Sequence, residues 1–114
     1  MKKYDILLIN LNPTKGSEQH GIRPCLLVQN NFANHYGSTF VVCPISSVIK
    51  DYPHTLIVDP TEQNGLKKQS RIDILQIRTI DQTRIHKKIG VLDEVYREIF
   101  CEKFRISFDV YDEY

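Results

Sequence analysis

The 114-residue chain carries 15 Lys and Arg against 14 Asp and Glu, a net charge of +1, with 41% apolar and 25% charged residues. Such a chain reads as one globular domain, 1–114, and not as a strongly basic nucleic-acid coat, a strongly acidic mimic or a disordered or fibrous protein. No apolar run approaches the roughly 20 residues a membrane helix needs, and the one that follows Met1-Lys2-Lys3 is too short for a signal-peptide core, so a cytoplasmic protein without a membrane partner is expected.

Ile6-Leu7-Leu8-Ile9, within residues 4–10, suits a buried strand, and Asn12-Pro13 ends it with a turn signal. Residues 14–21 are polar, flanked by Gly16 and Gly21, and read as a loop of the kind that often carries function. Residues 25–29 form a second predicted strand, and the Asn-rich stretch 30–38 reads as a connection. Residues 39–45 form a third strand, which Pro44 should end or confine to an edge, since it has no N–H to give a ladder. Residues 55–58 are a short strand closed by Asp59-Pro60 and Asn64-Gly65.

Residues 70–75 alternate, with Ile72 and Ile74 on one face and Arg71, Asp73 and Leu75 on the other, and residues 76–80 continue the strand. Gly90 to Leu92 lead to Asp93, a predicted N-cap. Tyr96, Phe100, Phe104 and Phe108 then recur every four residues with Val95, Ile99 and Ile106 close by, a helical stripe expected to pack on the core. The predicted fold is mainly β with a C-terminal helix, a small partly open barrel with the helix laid on it.

Charge is uneven along the chain. Residues 67–88 hold seven basic and two acidic residues, and residues 89–114 hold three basic and seven acidic ones. The basic stretch, with Lys15 and Arg23, is the expected ligand-facing surface, and the acidic end with Asp109, Asp112 and Glu113 is expected to lie away from it. Cys25, Cys43 and Cys101 are odd in number and widely spaced, which supports neither a disulfide framework nor a metal site and suits a reducing compartment. The histidines at 20, 35, 54 and 86 share no metal-ligand spacing and read as surface residues, with His20 alone adjoining the polar loop. No cofactor or metal is called for.

The run Leu11-Asn12-Pro13-Thr14-Lys15-Gly16-Ser17-Glu18-Gln19-His20-Gly21-Ile22-Arg23-Pro24 resembles the signature of the MazF/PemK toxin family. The resemblance continues in Leu27-Val28-Gln29-Asn30, Val41-Val42-Cys43-Pro44-Ile45-Ser46-Ser47, Gly65-Leu66-Lys67-Lys68-Gln69-Ser70, Gln76-Ile77-Arg78-Thr79-Ile80-Asp81 and Lys88-Ile89-Gly90-Val91-Leu92. These blocks are collinear and cover nearly the whole chain. The resemblance implies an SH3-like (CcdB/PemK-type) barrel and a homodimer. It also implies metal-independent cleavage of single-stranded RNA to 2′,3′-cyclic phosphate and 5′-hydroxyl ends, inhibited by the acidic tail of a cognate antitoxin. CcdB-like relatives of the fold poison DNA gyrase instead, so the alternatives are a non-catalytic, gyrase-directed binding toxin, with DNA binding, or a degenerate family member with weak activity.

The residues suit RNA cleavage. Arg23, always protonated and planar, can stabilise the charge that builds on phosphorus. Ser46 falls where the resemblance implies a catalytic hydroxyl, with Ser47 as competitor and turn formation as the bland role of both. Ser17, Glu18 and Gln19 lie in the loop that relatives fold over the site. Glu18 is either a base or a carboxylate that braces the loop. Gln19 and Gln76 can read base edges, because an amide both donates and accepts. Arg78 and Asp81 are expected to pair structurally. Where some relatives place an Arg and an Asp for proton transfer, this chain has Asp73 and Leu75, which leaves Arg23 and Ser46 as the retained catalytic pair.

Overall fold

The apolar run at the start of the chain becomes a strand with both faces covered. In the computed structural model, which describes residues 1–109, β1 (Asp5–Asn10) runs antiparallel between β2 (Ile22–Leu27) and β7 (Ile85–Val91). Ile6 belongs to one buried cluster with Leu26, Cys43 and Ile72, and Leu7 and Ile9 to a second with Cys25, Leu27 and Phe40. A strand buried on both faces loses its polar alternation, which is why it reads as a continuous apolar run.

Among the described residues, seven antiparallel strands build the sheet. Besides those above they are β3 (Thr39–Ser46), β4 (Thr55–Val58), β5 (Ser70–Asp73) and β6 (Arg78–Asp81). The hydrogen-bonded order is β4-β5-β3-β2-β1-β7, with β6 also on β3. The two end strands do not pair with each other, so the sheet curls without closing. That agrees with the predicted partly open barrel.

Pro44 neither ends β3 nor puts it at an edge, contrary to expectation, because the strand changes partner there. Thr39–Val42 pair with β6, while Ile45 and Ser46 pair with β5. On the β2 side Val28 N donates to Val41 O, so by alternation Pro44 turns its nitrogen toward the gap between β6 and β5. The missing N–H therefore costs no ladder bond.

Three further expectations need correction. The stretch 30–38 is not only a connection. It holds α1 (Asn31–Tyr36), capped by Asn30, whose Oδ1 accepts from Ala33 N at 2.8 Å. Residues 70–80 are not one strand, because a 3-10 turn at Ile74–Gln76 separates β5 from β6 and lets each pair with a different half of β3. No strand is predicted over residues 85–91, yet β7 runs there, because its exposed His86, Lys87 and Lys88 hide the strand signal at this open end of the sheet.

Helix α2 (Glu94–Ser107) packs by its aromatic stripe. Phe100 is buried in the first cluster, with Tyr96 and Phe104 half-buried against it. Phe108 lies just past the helix and is exposed, as are Val95, Ile99 and Ile106. The stripe is thus only partly core. Asp93 sits at the N-cap position, but its side chain makes no cap bond. Its oxygens instead accept from Asn64 Nδ2 at 2.9 Å and Thr61 Oγ1 at 2.8 Å. Asn64 is fully buried, and its four side-chain hydrogen-bonding positions are filled by Thr61 N, Leu66 N, Asp59 O and Asp93. Gly90 passes so close that a Cβ there would meet Asn64 backbone atoms at 2.3 Å.

Candidate active site

Between β1 and β2 the backbone leaves the sheet for residues 11–21 and returns through paired contacts. Leu11 N donates to Gly21 O at 2.9 Å and Gly21 N to Asn12 Oδ1 at 3.1 Å. Gly16 and Gly21 have positive φ, +58° and +79°, the conformation glycine adopts at no steric cost. Two arginines clamp the base of the loop. Arg78 Nη1 donates to Leu11 O at 2.9 Å, and Arg84 Nη1 donates to the Asn12 carbonyl. The expected Arg78–Asp81 pair is therefore replaced. Asp81 turns to Thr83, accepting from its N at 2.9 Å and its Oγ1 at 2.6 Å, and these bonds hold its carboxyl below the ordinary carboxylate range.

The loop forms one wall of an open cleft of about 570 Å³. Ser17, Glu18, Gln19, Arg23, Ser46 and Gln76 all line it. Arg23 stands on β2 opposite Ile9, and its Nε donates to His20 O at 2.7 Å. That bond fixes the guanidinium plane and leaves Nη1 and Nη2 for an anion. Ser46, buried at the end of β3, accepts from Val48 N at 3.2 Å, an arrangement that leaves its own proton available to donate. Glu18 is exposed, and its Oε1 accepts from Lys15 N at 3.1 Å, the bracing contact expected as one of its two roles. Gln76 Oε1 accepts from Gln19 N at 3.3 Å and ties the loop to the 3-10 turn.

Ser47 lies elsewhere. It lines an adjoining pocket of about 420 Å³ with Lys67, Lys68 and Lys87, and Arg23 borders both spaces. The basic stretch is thus divided. Those three lysines face this pocket, Arg78 and Arg84 brace the loop, and Lys88 pairs with Asp5 at 3.3 Å. At the acidic end Asp109 is exposed, whereas Asp112 and Glu113 lie outside the described residues.

Several cleft residues escaped the sequence reading. The opposite wall carries Lys50, Tyr52, His54, Thr55, Arg71 and Asp73. Tyr52 and His54 stack with centroids 5.2 Å apart and planes 12° apart. Thr55 Oγ1 donates to Lys50 O at 2.8 Å and accepts from Tyr52 N at 2.9 Å, shaping the turn that presents them. Arg71 and Asp73 alternate with Ile72 along β5, and their face is the cleft. The signal was the alternation itself, once Ile72 is known to point into the core. Leu75 also lines the cleft, from the 3-10 turn.

The three cysteines are free. Burial pushes the Cys25 thiol up to about 12 and raises Cys43 as well. Both are core groups and not nucleophiles. Among the described residues no three His, Cys, Asp or Glu side chains gather as a metal-ligand set.

Fold and cleft together define a small, mainly β protein with an open cleft that carries Arg23, Lys50 and Arg71 beside Glu18 and Asp73. Residues 2–108 match the model of the PemK-like, MazF-like toxins of type II toxin–antitoxin systems. The chain belongs to that family. It is 34% identical over 114 residues to the endoribonuclease EndoA of Bacillus subtilis, covering 98% of this chain and 97% of that one. It is also 37% identical over 95 residues to the endoribonuclease MazF of Staphylococcus saprophyticus, covering 82% and 79%. Among solved structures, MazF of Deinococcus radiodurans superposes with a TM-score of 0.80 at 20% identity, covering 96% of each chain. A mycobacterial endoribonuclease in complex with its cognate antitoxin gives 0.82 at 13% identity, covering 99% of each.

Proposed function

We propose that this protein is a sequence-selective endoribonuclease toxin that cleaves single-stranded RNA without a metal ion and is neutralised by a cognate antitoxin. The observation that carries the reading is the meeting of Arg23 and Ser46 in one open cleft, in a chain of this family. The relatives named above are endoribonucleases, which favours RNA cleavage over the gyrase-directed alternative.

The reaction uses the substrate's own 2′-hydroxyl. Its oxygen attacks phosphorus, the bond to the 5′-oxygen breaks, and the products are a 2′,3′-cyclic phosphate and a 5′-hydroxyl. One proton leaves the 2′-oxygen and one reaches the 5′-oxygen. Arg23, held by His20 O, offers its two terminal nitrogens to the non-bridging oxygens, where negative charge grows in the transition state. Ser46 donates its free hydroxyl proton to the same phosphate. Glu18, His20, His54 and Asp73 are the cleft groups able to move protons. Gln76 Nε2 and the Gln19 side chain are left to meet base edges, as sequence selection requires. Ser17 contacts the strand from the loop. Ser47, in the adjoining pocket, contacts it one step away.

The pocket of Lys67, Lys68 and Lys87 suits an acidic antitoxin segment, which would cover Arg23 at the same time. Val95, Ile99 and Ile106, exposed on α2, support a homodimer. No described helix is long and apolar enough to cross a membrane. Membership of this toxin family supports action in the cytoplasm.

The test is incubation of the purified protein with a long unstructured RNA in EDTA, followed by analysis of the ends. Cyclic phosphate ends are expected. Fragments with 3′-hydroxyl ends, or intact RNA, overturn the reading.

A further inference from the structure

We propose that Arg71 is a phosphate-binding residue of the cleft, a second guanidinium that acts beside Arg23. This rests on the reading of the cleft as the place where RNA is bound.

Arg71 is the second residue of β5, and its Cα partners are Ser46 on β3 and Ile57 on β4. Directly opposed residues of an antiparallel pair present their side chains to one face. Arg71 and Ser46 both line the cleft, so the guanidinium shares the face of the hydroxyl already placed at the reacting phosphate.

Burial and pairing supply the second half. Arg71 is only 9% exposed, the most secluded charge on that wall. Its Nη2 lies 3.6 Å from Asp73 Oδ2, an ion pair too long for a strong hydrogen bond. Nε and Nη1 are buried with no hydrogen-bond partner among the described residues. An arginine cannot shed its charge to escape this, and a buried guanidinium with unfilled donors is a net cost to folding. An apolar side chain of the same length would fill the site at no such cost. The arrangement makes sense for a site completed by an incoming anion. A phosphodiester brings two non-bridging oxygens, and a guanidinium is the side chain best matched to them. Asp73 holds the Arg71 side chain at one end by this long contact, and a swing of the guanidinium toward the cleft brings the buried, unpartnered Nε and Nη1 to the phosphate.

The test has two arms. In the first, inorganic phosphate is titrated into 15N-labelled wild-type protein while the arginine Nε–Hε resonances are followed. A saturable shift of the Arg71 resonance, assigned through its loss in Arg71→Lys, is expected. A resonance that stays fixed overturns the proposal. In the second, binding of a mixed-sequence 2′-O-methyl RNA 12-mer is measured by fluorescence anisotropy. Arg71→Met is expected to bind about 10- to 100-fold more weakly, the loss of hydrogen bonds to a charged group. Its salt dependence should become shallower by about 0.7, one phosphate contact on a single strand. Arg71→Lys, which keeps the charge but not the fork, should lose less. The melting temperature of Arg71→Met should equal or exceed that of wild type, an outcome a purely structural arginine would not give. Wild-type affinity and salt slope in folded Arg71→Met overturn the inference. Cleavage by the wild type is scored separately. If wild type fails to cut RNA but the Arg71 resonance moves, the functional reading fails and the anion site stands. If wild type cuts and Arg71→Met binds and cuts equally well, only the Arg71 assignment fails.

Discussion

Two regions of the molecule bury polar side chains and treat them in opposite ways. At the corner where the loop after β4 meets the start of α2, Asn64 has every donor and acceptor filled, two from backbone N–H groups, one by a carbonyl and one by Asp93. In the cleft, Arg71 is nearly as secluded, yet two of its nitrogens have no hydrogen-bond partner among the described residues. Arg23 is held through one nitrogen and leaves the other two open. A satisfied buried network specifies structure, while an unsatisfied one held rigid is prepared for a ligand. The contrast separates the corner that fixes the fold from the wall that awaits a substrate.

Substitutions can break that contrast. The largest expected effect is Arg23→Ala, which should lower the rate of RNA cleavage by about 10²–10³-fold, the usual cost of a lost transition-state donor. Its melting temperature should stay close to wild type, because Arg23 is only half-buried and lends a single bond to His20. Asn64→Ala should do the reverse. Four partners lose their bonds at once, so the protein should lose about 3 kcal/mol and its melting temperature should fall by roughly 10 °C or more. Cleavage per folded molecule should be unchanged. Calorimetry and gel-based cleavage on the two variants read both halves.

The core that joins the two regions gives a third prediction, in pH. Burial raises the Cys25 thiol from 9.0 to about 12 and raises Cys43 in the same direction. A folded value above the unfolded one means that the stabilisation is fully present below about pH 9 and is lost as pH climbs toward the folded value. Stability should fall by about 1.4 kcal/mol per pH unit above 9 from Cys25 alone. Thermal melts at pH 8 and 10.5 check the sign, and Cys25→Ala should flatten the slope. Fourth, Ser46→Ala should slow cleavage by about tenfold, the value of one neutral donor, without a large change in stability. The smallest effect is expected from Ser47→Ala, within about twofold of wild type, since Ser47 opens on the neighbouring pocket. A larger loss for Ser47 than for Ser46 would exchange their roles.

The sequence allowed a reader to see some of this and hid the rest for physical reasons. β1, β3 and β4 were legible because burial forces apolar runs or β-branched residues there. β7 was not, because the strand ends the sheet and shows His86, Lys87 and Lys88 to solvent. The 3-10 turn at Ile74–Gln76 was invisible, since no Gly or Pro marks it and it is held by Ile74 N on the distant His54 O. In the site, the loop with Ser17, Glu18 and Gln19, the Arg23 position and Gln76 could be read from their sequence blocks, and the fold gathers them. The opposite wall could not. Arg71, Asp73, Tyr52 and His54 come together only because β4 and β5 pair, a non-local event with no local signature. Positions 73 and 75, which looked like losses, sit on the wall where Arg71 stands two residues away from Asp73.

The most direct test is cleavage of one long RNA in EDTA by wild type and Arg23→Ala at matched folded concentration, with the ends identified by mass. The account predicts fragments ending in 2′,3′-cyclic phosphate from wild type and almost none from Arg23→Ala. Equal cutting by the two proteins, or ends without the cyclic phosphate, would contradict it.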